Sequence, residues 1–340
     1  MKKIFYYVIP LLLFFSACQK EEKKDFIGPE YKAASSGFNL VSNFSLNLSN
    51  VNFATGDQQF FKAQFNESVT WTIELKGLTS QAVKTITGLS DRVDESNSLW
   101  LGTHDDLMFF QSGEEVEATL SILGFNDSYK LNFKITSARV YPGGKEMGSG
   151  FEGWVKNSSE WWYSPYFDKS DSIFGGLVTA PKLEGKYAFK LEGKDVSNDY
   201  YIGAVRRKLP TNFLTSAHSD FYVNVYVYGD GNSNSELKIG LKHDTYTQNA
   251  NGTPDGYDDK TDDSYEHAIP LNFKGWKLIS VKYSSFARST NPSFGGNGPN
   301  IKDPGKIIHV DFTLLTKAVG SHAVVVLDYP TITFDKPFIP

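Results

Sequence analysis

Cysteine is nearly missing from this 340-residue chain: the one present, Cys18, has no disulfide partner, so burial rather than covalent staples must hold the fold. Long apolar runs are missing too. The stretch from Ile4 to Phe15 is too short to span a bilayer, and no other run has the length a transmembrane helix needs. Neither sign of charge is in large excess. Lys and Arg number 34 against 39 Asp and Glu, a net charge of -5, and no basic cluster stands out beyond residue 25. Nucleic acid is therefore not expected as a partner, and the balance points to a neutral ligand. Catalytic signatures are absent as well: no Gly-x-Ser-x-Gly elbow, His-Glu-x-x-His, phosphate-cradling glycine loop or Glu-x-Asp-x-x-Glu strand occurs. The six histidines, His104, His218, His243, His267, His309 and His322, sit in no local motif with Arg and Tyr. A glycosidase or polysaccharide lyase stays open as the alternative, because paired carboxylates need no local signature.

Aromatic residues are plentiful, at 15%, and they alternate with β-branched residues in short runs separated by Gly, Asn and Ser. This predicts an all-β protein. Runs such as Val69 to Leu75, Val116 to Ile122 and Tyr129 to Ile135 alternate with period two and predict a sandwich over residues 37–141, with Trp71 and Trp100 in its core. Its order resembles an immunoglobulin-like module, read as a spacer. The glycine-rich segment 142–149 predicts a linker, and strands resume from 150 to 340 without a convincing amphipathic helix.

At the start of the chain, Lys2 and Lys3 precede the apolar stretch, and Phe15-Ser16-Ala17-Cys18 closes it. This resembles the lipobox at which a signal segment, residues 1–17, is cleaved and Cys18 is acylated. The charged tether 18–36 begins Gln19-Lys20-Glu21-Glu22, which resembles the surface-export tag of Bacteroidota lipoproteins. The expectation is an outer-membrane lipoprotein facing the cell exterior.

Three segments of the second domain occur in a familiar order: Gly150-Phe151-Glu152-Gly153-Trp154, Gly185-Lys186-Tyr187-Ala188-Phe189, and Val326-Leu327-Asp328-Tyr329-Pro330. With Gly275-Trp276-Lys277-Leu278 near the end, they resemble jelly-roll, galactose-binding-like carbohydrate-binding modules, and the whole chain resembles the surface glycan-binding lipoproteins of polysaccharide utilisation loci. The resemblance implies capture of polysaccharide without catalysis, for partners such as an outer-membrane glycan transporter. It also implies a structural calcium held by Glu152, a carbonyl of the Gly185-Lys186 turn, and Asp328.

The residues themselves suggest where sugar would sit. In Phe221 to Tyr228 the odd positions suit a core, leaving Tyr222, Asn224, Tyr226 and Tyr228 either to stack on sugar rings or to pack under a covering loop. Trp161, Trp162 and Tyr163, with Tyr166, cannot all face one core, and predict a platform in a polar loop. Arg206, Lys242 and His309 are candidate polar contacts if sheet order brings them near. A second calcium candidate is the acidic loop with Asn251, Thr253, Asp255 and Asp262 at the spacing of an oxygen-ligand loop. An adhesin that binds protein would use the same fold.

Overall fold

The computed structural model describes residues 31–105, 107–140, 144–147, 151–156, 158–165, 173–195, 200–232, 234–244, 257–291 and 295–339. Cys18 and the signal segment, Tyr166, Asn251, Thr253 and Asp255 lie outside the described residues.

The buried apolar side chains form one cluster from Phe38 to Ile135 and a second from Met147 to Ile332. In the first, a six-stranded sheet runs in the order Leu40–Leu46, Phe61–Gly77, Glu115–Ile122, Ser128–Ser137 and Asn50–Asn52, with Val83–Val93 against the long second strand. That strand takes different partners along its length. Phe61 to Phe65 pair with Leu40–Leu46, and Trp71 to Gly77 pair with Glu115–Ile122. Its odd-numbered Phe61, Ala63, Phe65, Val69, Trp71, Ile73 and Leu75 are all buried, as period-two alternation requires. Trp71 and Trp100 are core residues. Trp71 donates to Ser90 Oγ at 2.9 Å and Trp100 to the Thr103 carbonyl at 2.7 Å, so neither buried indole N–H lacks a partner.

The second domain is a jelly-roll sandwich of two six-stranded antiparallel sheets. The front sheet runs Lys274–Lys282, Phe221–Asp230, His322–Phe334, Ala188–Lys194, Ile173–Val178, with Gly144–Glu146 also on His322–Phe334. The back sheet runs Ala287–Arg288, Asp263–Pro270, Ser235–His243, Ile307–Thr316, Tyr201–Lys208, Trp161–Pro165. Phe221, Val223, Val225 and Val227 face Leu237, Ile239, Leu241, Val310, Phe312 and Leu314 in the core between the sheets. The predicted linker is in part structured: Lys145 pairs with Ile332, and Met147 is fully buried in the module's core.

A third apolar cluster joins the domains. Phe109 of the first packs with Leu183, Tyr226, Tyr329 and Phe338 of the second, its ring edge-on to Tyr226 at 5.6 Å and tilted against Tyr329 at 5.1 Å. Gln111 Nε2 adds a bond to the Gly185 carbonyl at 3.1 Å.

Candidate functional site

Trp161–Pro165 is the edge strand of the back sheet rather than a loop, so its rings alternate between faces. Trp161 points inward, 1% exposed and 4.9 Å from the Phe151 ring, and Tyr163 packs against Phe189 at 6.1 Å. Gly175 on the opposing sheet is required here, since a Cβ would collide with the Tyr163 ring. Trp162 alone of the three points outward, with 43% of its surface exposed. The three-ring platform is thereby corrected to one ring: Trp161 and Tyr163 belong to the core.

Sheet register then assembles the site. Trp162 pairs with Arg206 and Arg206 with Asp311, giving one row across the outer face of the back sheet; Lys208, His309 and Lys242 form the next. Of the three polar candidates, Arg206 lies directly beside Trp162 and His309 one strand further, while Lys242 lies on the next strand beyond His309. Arg206 is held by one carboxylate and two rings. Its Nε and Nη2 donate to the Asp311 carboxylate at 2.6 and 2.9 Å, and its guanidinium lies 4.7 Å from the Trp162 ring and 5.7 Å from that of Tyr257. Lys242 Nζ lies 3.9 Å from Asp311 and 3.7 Å from Asp259, and donates to Tyr257 Oη at 3.3 Å.

These contacts set the charge states. Burial would raise the Asp311 carboxyl, but Arg206 and Lys242 outweigh it and hold the group below the usual carboxylate range. Burial, reinforced by Arg206, pushes His309 down to about 4, so its imidazole is neutral near pH 7. Burial first, then Asp259, raises the Tyr257 phenol, which stays protonated. The result is a flat indole, a pinned guanidinium and neutral hydrogen-bonding groups side by side. Stacking rings with polar groups at their rim is what an apolar sugar face ringed by hydroxyls needs.

Beside Trp162 the surface dips into a cavity of about 190 Å³ lined by Ser158, Glu160, Trp162, Arg206, Lys208 and His309. Enclosed ligand pockets run to roughly 300–1,000 Å³, so this hollow suits one unit of a longer ligand. A larger concavity of about 540 Å³ lies among Ser216, Tyr283, Lys302 and Asp303, but its polar groups are already engaged: Ser216 with Asp303 at 3.0 Å, Lys302 with the Phe286 carbonyl at 2.6 Å.

The outward face of Phe221–Asp230 is a different place, on the front sheet, and much of it is covered. Tyr226 is fully buried in the cluster around Phe109, so it joins the domains rather than offering a ring to solvent. Asn224, also fully buried, donates to Thr333 Oγ1 at 2.9 Å and accepts from the Phe338 amide at 3.0 Å, fastening the C-terminal segment. Tyr222 and Tyr228 are half-buried, Tyr222 near Lys282 and Tyr228 edge-on to Trp276 at 5.5 Å.

The calcium candidates separate likewise. Glu152 and Asp328 share one loop: Glu152 Oε1 accepts the amides of Lys186 and Tyr187 at 2.6 and 2.7 Å, and Asp328 Oδ2 accepts those of Leu183 and Glu184 at 2.7 and 3.0 Å. Lys186 thus offers Glu152 its amide, and the Gly185 carbonyl accepts from Lys182 Nζ at 2.7 Å. Asp262, the described member of the acidic loop, is buried and accepts the Asp258 amide at 2.9 Å, closing a turn. No group of three or more His, Cys, Asp or Glu side chains suited to a metal occurs among the described residues.

Sequence reasoning missed Asp311, Tyr257, Asp259 and Lys208. Asp311 was reachable, for it shares the outward phase of His309 on a strand whose Val310, Phe312 and Leu314 face inward.

No protein-family profile matches the chain, and no curated protein matches it. Solved structures similar to it include the family 11 carbohydrate-binding module of a cellulosomal cellulase of Clostridium thermocellum, at 14% identity and a TM-score of 0.40, covering 57% of this chain and 96% of that one. The same module in complex with a β-1,3-1,4-mixed-linked tetrasaccharide aligns at 14% identity and a TM-score of 0.41, covering 57% and 98%. A structure described under carbohydrate-binding modules of the β-sandwich superfamily aligns at 10% identity and a TM-score of 0.35, covering 89% and 98%. These are likenesses of fold.

Proposed function

We propose that this protein captures polysaccharide without cutting it, using the outer face of the back sheet in the second domain. The observation that carries the reading is the half-exposed Trp162 ring, fixed beside the Arg206 guanidinium at 4.7 Å and bordering a one-unit hollow with the neutral His309. The state of the acids supports capture over hydrolysis. A glycosidase acid needs a raised carboxyl, whereas Asp311 on this face is held low by Arg206. Retardation of the full chain in native gels containing single polysaccharides tests the reading; steady release of reducing ends or unsaturated products would assign cleavage instead.

The lipobox-like end at Cys18 supports a place for this capture at the cell surface. Cys18→Ala is expected to move the protein from the membrane pellet to the supernatant after a carbonate wash, because no other apolar run in this sequence has the length of a membrane-spanning helix. A variant that stays in the pellet contradicts the anchor.

We also propose a structural calcium at Glu152 and Asp328. The pair fits a cation in one respect: burial, with Glu152 adding to it, pushes the Asp328 carboxyl up to about 7 despite three amide donors, a cost that a bound divalent ion removes. Glu152 and Asp328 would hold it, and it would neutralise the loop they share. Excess chelator is expected to lower the melt by about 5–10 °C, from roughly 2.7 kcal/mol of stabilisation at a hundredfold excess over Kd. The shift should vanish in Glu152→Ala. One that persists there but is lost in Asp255→Ala assigns the metal to the acidic loop, and an unchanged melt removes both.

A further inference from the structure

The overall charge balance of the chain is nearly even, yet the hollow beside Trp162 is not electrically balanced. Basic side chains around it have carboxylate partners: Arg206 binds Asp311, Arg207 binds Glu160 at 2.8 Å, Lys242 lies 3.7 Å from Asp259, and Lys238, farther along the same sheet, binds Glu266 at 3.1 Å. Lys208 is the exception. It lines the hollow from the row next to Trp162, its side chain is exposed, and no carboxylate among the described residues pairs with it. Its backbone amide is fixed to the Glu160 carbonyl at 2.8 Å, so the strand places the ammonium at the rim. The one acid in the lining, Glu160, is already engaged by Arg207, and His309 beside it is uncharged. One positive charge is left over, next to a ring that can stack on a sugar.

Resting on the proposed capture function, we infer that this hollow takes a sugar unit bearing an anionic substituent, a carboxylate or a sulfate ester, with Trp162 under the ring and Lys208 at the charge. A lysine suits either group, since its ammonium acts as a point charge without the fork that would prefer one geometry. The row order supports the assignment: Lys208 neighbours His309 across the sheet, one row from Arg206 and Trp162, so charge and ring serve the same unit of a chain lying along the face.

The test titrates the full chain in detergent, at low salt and at high salt, with polygalacturonate and its carboxyl-reduced form, and with iota-carrageenan and its desulfated form. Binding of one polyanion is expected to weaken about tenfold or more on neutralisation, about five- to tenfold in Lys208→Gln, and to recover in Lys208→Arg. Whether polygalacturonate or carrageenan responds distinguishes carboxylate from sulfate. Equal binding of the neutral forms, or no change in Lys208→Gln while Trp162→Ala abolishes binding, overturns the inference and leaves glycan capture standing. Loss in Lys208→Gln with Trp162→Ala unaffected also overturns it, since the charge would then act away from the hollow. Failure to bind any glycan, charged or neutral, removes the capture function as well.

Discussion

Two adjacent tryptophans are expected to respond to the same substitution in opposite ways. Trp161→Ala should destabilise the second domain by about 3–5 kcal/mol, the cost of removing a large buried ring and leaving a cavity, whereas Trp162→Ala should change stability by less than about 1 kcal/mol. The contrast follows from strand alternation. Trp161 is 1% exposed against Phe151 and Trp162 is 43% exposed on the outer face, one residue apart. Denaturant melts of the two variants check it. Reversed losses would mean that the edge strand carries the other register, with Trp162 turned inward.

The second large effect lies between the domains. Phe109→Ala is expected to cost about 3 kcal/mol or more and to split a single calorimetric transition into two, because this buried ring, with the partly buried Met108 beside it, packs from the first domain into the cluster formed by Leu183, Tyr226, Tyr329 and Phe338 of the second. Without the ring, the bonds that still join the domains here, from the backbone amide at position 109 to the Leu183 carbonyl at 3.4 Å and from Gln111 to the Gly185 carbonyl at 3.1 Å, are a weak tether. The same geometry means that the second domain cut free would expose Tyr329 and Phe338. An unchanged single transition in Phe109→Ala would show that the domains are coupled elsewhere or not at all.

Much of the fold could be read from the sequence because its strands follow period two closely. Phe221, Val223, Val225 and Val227 were assignable to a core from their spacing alone, and they are fully buried. What their opposite face meets was not legible: Tyr226 is covered by Phe109, a residue more than a hundred positions away, and Asn224 by the chain's own C-terminal segment. Position in sequence shows which way a side chain points, not what is waiting there. The same limit applied to the site. Trp161, Trp162 and Tyr163 were recognisable as rings that could not all be buried together, but their polar flanks, Ser158, Ser159 and Ser164, disguised an edge strand as a loop. Arg206, Lys242 and His309 became neighbours only through the pairing of three strands distant in sequence. Tyr257 went unread because the acids around it drew attention to calcium, although Asp259 in fact steadies the phenol and lies near Lys242.

The proposed capture uses the outer face of the back sheet, not the tyrosine face of the front sheet, and one calorimetric comparison distinguishes the two. The polysaccharide that most retards the full chain is titrated into the wild type, Trp162→Ala and Tyr228→Ala. Loss of an aromatic anchor typically costs about 2 kcal/mol or more, so Trp162→Ala should weaken binding by roughly thirtyfold while Tyr228→Ala leaves it unchanged. Binding that survives Trp162→Ala and is lost in Tyr228→Ala would put the site on the opposite sheet and contradict the account.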